Sequence, residues 1–191
     1  MRFPLLAAAF FSMVMTATPA VAQIVDYLGI PGPVELGGKS YKLAWNSQPS
    51  ENYTKQEYVP EGQSPENYGQ MVLVERVTGD IKVIDTVRSQ MDMLEKRKGI
   101  DPLVSYEVLQ KDATKEVVLD FLVSVKNSKG GYVVEWNLYR YVPMRSGVLV
   151  FAVSHRAYGN DNAKAFLSDL KQLRTAQTGV LLKADLPKPA Y

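Results

Sequence analysis

Cysteine is absent from the 191 residues, and histidine occurs once. Without thiols the chain has no disulfide framework, no thiolate metal site and no cysteine nucleophile. His155 alone leaves carboxylates as the remaining metal donors, which suit hard cations. Asn160-Asp161-Asn162 lacks the spacing and the closing Glu of a calcium loop. No G-x-S-x-G elbow is present. Gly38-Lys39-Ser40 ends like a phosphate-binding loop, but Pro33 stands where its first glycine belongs. Neither a metal nor a cofactor is expected. A formal charge of only +2 argues against nucleic acid, whose binding rests on phosphate neutralisation.

Long hydrophobic runs are also missing. The one extended apolar stretch, Phe3 to Met15, is too short to span a bilayer, which takes roughly 20 residues. It follows Arg2 and precedes Ala20-Val21-Ala22, the layout of a secretory signal peptide over 1–22 with cleavage after Ala22. Gln23 then occupies the place where a lipoprotein carries its modified cysteine, so no membrane anchor is expected. The expected location is periplasmic or secreted.

What is there reads as one domain. Residues 23–40, dense in Gly and Pro, suit an extended arm. Residues 41–177 form a single α+β domain, and 178–191 a C-terminal tail in which Val180-Leu181-Leu182 could add a short strand. Tyr41–Trp45, Tyr53–Val59 and Gln70–Val77 have strand patterns. Ile81, Ile84, Val87, Met91 and Leu94 then recur at helical spacing, predicting an amphipathic helix from about Ile81 to Lys98 with Asp80 as N-cap and Gly99 beyond its end. Lys96-Arg97-Lys98 lies in its last turn, where the helix dipole favours cations.

Four strand-like runs follow: Leu103–Gln110, Glu116–Lys126, Tyr132–Val142 and Val148–Tyr158. Their linkers are short enough to join only antiparallel neighbours, which predicts a four-stranded meander. A second amphipathic helix, about Asp161 to Ala176, carries Ala163, Phe166, Leu167, Leu170 and Leu173. The expected fold class is α+β: an antiparallel sheet with a four-stranded meander, layered with two amphipathic helices as an α/β/α sandwich. From Tyr41 to Ala176 this element order resembles the PsbP-like fold of photosystem extrinsic subunits and Mog-type Ran-binding proteins. The aromatic stretch of Trp45 through Tyr53, Glu57-Tyr58-Val59-Pro60 and Tyr68 resembles, more loosely, uncharacterised exported proteins of Gram-negative bacteria. The resemblance implies a binding or assembly module without catalysis, and it transfers no functional residue.

Two features remain as candidates for function. Tyr53, Tyr58, Tyr68, Tyr139 and Tyr141 are amphipathic aromatics of the kind that serve a ligand or partner surface. His155 would need a serine and an acid brought to it by the fold to act as a hydrolase, and Ser154 points to the opposite face of the same strand. The expected function is therefore a non-catalytic exported module contacting an envelope protein partner. The alternatives are a carrier for a small apolar or aromatic ligand between sheet and helix, or a hydrolase using His155.

Overall fold

A computed structural model describes residues 24–111, 113–128 and 130–190. The signal-peptide segment expected at 1–22 lies outside the described residues. Ten elements follow in order: β1 (Val34–Leu36), β2 (Lys39–Ser50), β3 (Tyr53–Val59), β4 (Gln70–Val77), α1 (Val83–Arg97), β5 (Ser105–Lys111), β6 (Glu116–Lys126), β7 (Tyr132–Met144), β8 (Gly147–Tyr158) and α2 (Asn160–Lys183).

The expected PsbP-like α/β/α sandwich built on a four-stranded meander is not the fold. All eight strands form one antiparallel sheet in the order β1-β2-β3-β4-β8-β7-β6-β5, curled into a half-barrel. Strand accounts for 45% of the described residues against 24% helix, so the sheet dominates and each helix covers only part of it. The reason lies in β8. It pairs with β7 through a tight hairpin and with β4 over eight residue pairs, from Gln70–His155 to Val77–Val148. The β5–β8 runs therefore do not stand alone as a sheet. They continue into β1–β4 without a break.

Both faces of this sheet are apolar, because β4, β6 and β8 alternate buried residues with buried residues. On one face α2 packs over Trp136, Leu138, Phe151 and Val153. On the other, α1 packs over Leu119, Phe121, Val150 and Ala152 through Val83, Val87 and Leu94. Each fully buried Leu or Val contributes roughly 2 kcal/mol. Helix α1 begins two residues later than expected, with Lys82 at the N-cap and no side-chain cap. As a consequence Val83 is buried and Ile84, expected in the apolar stripe, is partly exposed.

Helix α2 runs past the expected end at Ala176, through Gly179, to Lys183. Val180-Leu181-Leu182 is thus helix and not a strand, and the tail begins at Ala184. Leu181 is fully buried, and Arg140 of β7 donates to the carbonyl oxygens of Leu181 (3.1 Å), Leu182 (3.4 Å) and Ala184 (3.4 Å). Those carbonyls would otherwise be orphaned at the helix end. The N-terminal arm docks on the same face: the Gln56 side-chain oxygen accepts from the amides of Tyr27 (2.8 Å) and Leu28 (3.0 Å).

Gly147, the first residue of β8, fixes the junction of the two halves. Its φ is +114°, and a Cβ there would lie 1.9 Å from the carbonyl oxygen of Val77. Gly147→Ala is expected to cost about 3 kcal/mol or more, from backbone strain and the clash together. Urea denaturation followed by circular dichroism measures it, and an unchanged midpoint would refute the close approach.

Candidate functional site

The strand period distributes the five tyrosines over both faces. Register places Tyr53, Tyr139 and Tyr141 on the α1 face, with Lys55, Glu57, Glu75, Glu135, Asn137 and Arg156. Tyr68, from the loop before β4, joins them by donating to Glu135 at 2.7 Å. Arg156 also binds Glu135, from Nε at 2.6 Å, and its guanidinium lies 4.2 Å from the Tyr68 ring centroid. Tyr139 meets Phe121 edge-to-face at 5.0 Å and Tyr141 at 6.2 Å. Tyr58 is on the α2 face, where it donates to the Ile30 carbonyl at 2.7 Å and so holds the arm. Tyr58, Tyr68 and Tyr141 are buried, while Tyr53 and Tyr139 are half-buried. The tyrosines serve the packing of the sheet faces and do not form one open aromatic surface.

Burial leaves its mark on the acids and phenols of this strip. It raises the Glu75 carboxyl, against the pull of Lys55 at 4.0 Å and a hydrogen bond from Tyr53. It raises the Tyr139 and Tyr141 hydroxyls well above their ordinary value, helped by the Glu75 charge. Lys55 pairs with Glu57 at 2.9 Å. Lys55 serves both Glu57 and Glu75 and Arg156 serves Glu135, while Asn137 Nδ2 is buried without a partner among the described residues.

On the opposite face a polar layer lies beneath α2. His155 opposes Gln70 and Trp136 in register, and Lys39 donates to Gln70 at 3.1 Å. Burial lowers the His155 pKa to about 4; a hydrogen bond with Gln177 opposes the shift and Lys39 adds to it. The Trp136 indole N–H donates to Asp120 at 2.9 Å, and Arg174 of α2 bridges to the same carboxylate at 2.9 Å. Ser154 turns the other way and donates to Asn137 at 2.5 Å. His155 therefore meets a glutamine and an indole, and among the described contacts no serine–acid pair reaches it. Among the described residues no group of three or more His, Asp or Glu is placed to hold a metal ion. No helix among the described residues is long and apolar enough to cross a membrane.

The unsatisfied part of the molecule is the far edge of the sheet. Strand β5 pairs with β6 alone, in an unbroken register from Ser105–Leu122 to Lys111–Glu116. Glu107, Val108, Leu109 and Gln110 are all exposed, with Val108 at 37% and Leu109 at 46% on opposite faces. Nothing described pairs with the outer backbone groups of this strand, and it carries neither proline nor bulge, the usual devices that blunt an edge. The other end of the sheet is different. There β1 covers the start of β2, β2 has two register shifts and Pro49, and Asn46 holds the arm through the Val25 carbonyl. Sequence reading missed β5 as a site, although its lack of a clear inward face (SYEVLQK) was the available signal.

Residues 28–186 match the profile of an uncharacterised protein family, and the chain belongs to that family. No curated protein matches the sequence.

Proposed function

We infer that the chain is a non-catalytic exported binding module whose free β5 edge takes up an extended strand of a protein partner. The single observation that carries this reading is the bare edge of β5: a seven-residue strand paired with β6 on one side only, its outward-pointing backbone groups without a described strand partner, and with Val108 and Leu109 exposed within it. Strand addition to such an edge gains affinity from main-chain hydrogen bonds and specificity from side chains on alternate positions. The leader-like start of the sequence supports placement of this interaction in the envelope, with the mature chain beginning at Gln23.

Site-specific photocrosslinking in intact cells tests it. A crosslinker at Gln110 is expected to give one discrete adduct in the envelope fraction, and one at Thr175 on the outward face of α2 none. Val108→Lys with Leu109→Glu should abolish the Gln110 adduct while changing stability by no more than about 0.5 kcal/mol, as for other exposed positions. Equal adducts from both positions, or an adduct indifferent to the double substitution, would overturn the reading. An adduct of twice the chain's mass would make the partner a second copy.

A further inference from the structure

A cleft of about 410 Å³ opens on the α2 face, walled by Pro102 and Leu103, by Tyr132 and Val134 of β7, and by Ala163 and Leu167 of α2. Pro102 and Leu103 lie just before β5, and the other walls come from β7 and α2. The walls are carbon-rich, and three of them (Leu103, Tyr132 and Leu167) are only partly buried although they belong to the same core cluster as Trp136. Apolar surface left half-open beside a core is what a ligand finishes covering.

The Pro102–Leu103 wall is held in place. Asp101 is 5% exposed and accepts from the Leu103 amide (3.1 Å), the Ser124 amide (2.7 Å) and the Ser124 hydroxyl (2.6 Å), while Arg97 reaches it at 3.0 Å. Burial alone would raise the Asp101 carboxyl, but these donors hold it below its ordinary value. The turn is therefore built before any ligand arrives.

Charge at the cleft is of one sign. Among the described residues Lys164 is the only charged one in its lining. It is exposed and has no ion pair among the described residues. Lys126 stands by the Tyr132 wall, its ammonium 5.7 Å from that ring's centroid. Among the described residues no carboxylate lines the cleft. The geometry points to a site for a small amphiphile with an apolar chain and one anionic head, a medium-chain fatty carboxylate, its chain between Val134, Ala163 and Leu167 and its head at Lys164. A neutral ligand would leave that ammonium unused. A cation would be repelled by it.

Decanoate, kept below its micelle concentration and titrated into the full chain, is the direct probe. Amide chemical shifts are expected to move saturably at Leu103, Val134, Ala163 and Leu167, with decanol binding roughly three- to fivefold more weakly, the scale of one exposed ion pair. Lys164→Gln should bring decanoate down to the level of decanol. Leu167→Trp, a change at a half-exposed position, should block both ligands while the remaining spectrum keeps its dispersion. Three results would overturn the proposal: no saturable shift, shifts confined to other regions, or equal affinity for decanoate and decanol in the parent.

Discussion

Lowering the pH from 7 to 4 will cost the folded chain about 3 kcal/mol through His155 alone. In the unfolded chain this imidazole takes up its proton near pH 6.5, whereas in the folded chain burial delays it to about pH 4. Between those values the unfolded state binds the extra proton, so stability falls as pH falls through the window and levels off below it. The Nε2 atom is buried without a hydrogen-bond partner among the described residues, and the opposing contribution of Gln177 is smaller than the cost of desolvating the charged ring. Glu75 and Asp120 slope the other way, because burial raises both carboxyls and the folded state takes their protons first. The measurement is therefore a difference: urea stability of the parent and of His155→Gln at several pH values. The parent is expected to lose about 3 kcal/mol more than the variant between pH 7 and pH 4, the scale of a shift of this size. Parallel curves would show that the ring is solvated.

Arg140→Met will produce the second large effect, a loss of about 3–5 kcal/mol. Arg140 and Glu116 are 8% and 7% exposed, and the guanidinium meets the carboxylate at 2.9 and 3.3 Å before reaching the carbonyls that end α2. Removing it strands a buried charge and three helix-end acceptors together. Replacing both partners, with Arg140→Met and Glu116→Leu, should recover part of the loss, because the pair is then exchanged for apolar packing. Urea denaturation gives the stabilities. The far-ultraviolet spectrum adds a second readout, since fraying of α2 past Gly179 should lower the helical signal in the single variant. A single variant within about 1 kcal/mol of the parent would show that the ion pair and the helix-end contacts are not coupled.

These two residues also mark where reading the sequence stopped. Strands β3, β4 and β6 are legible to the residue, β3 and β6 from alternation, β4 from a short apolar run, and all three from their turn-rich borders. The end of α2 is not, because Gly179 looks like a stop and the contact that overrides it comes from Arg140, 41 residues back from Leu181 in the chain. Sheet order failed for a related reason. The run Val148-Leu149-Val150-Phe151-Ala152-Val153 buries both faces and carries no inward–outward code, so nothing local says that β8 joins β4 as well as β7. The tyrosines were partly legible: Tyr53 and Tyr58 are an odd number of residues apart on one strand, and alternation alone puts them on opposite faces. That Tyr68 reaches Glu135 depends on how a loop is folded, which composition does not encode. Gln56 likewise reads as a polar residue on a strand, and only the arrival of the arm makes it a buried acceptor of two amides.

The β4–β8 seam has a consequence for how the chain acquires its structure. The first four strands form successive hairpins as they are made, but the open side of β4, with Val72, Leu73 and Val74, waits for a strand that comes last in the sheet's chain order. A nascent chain therefore holds an apolar, unpaired ribbon throughout that interval, the kind of surface that aggregates if left unguarded. Sheet completion is a late, long-range closure, slow by the entropy of the loop it must close. Whatever keeps this protein from misassembling has to act before Gly147 reaches Val77.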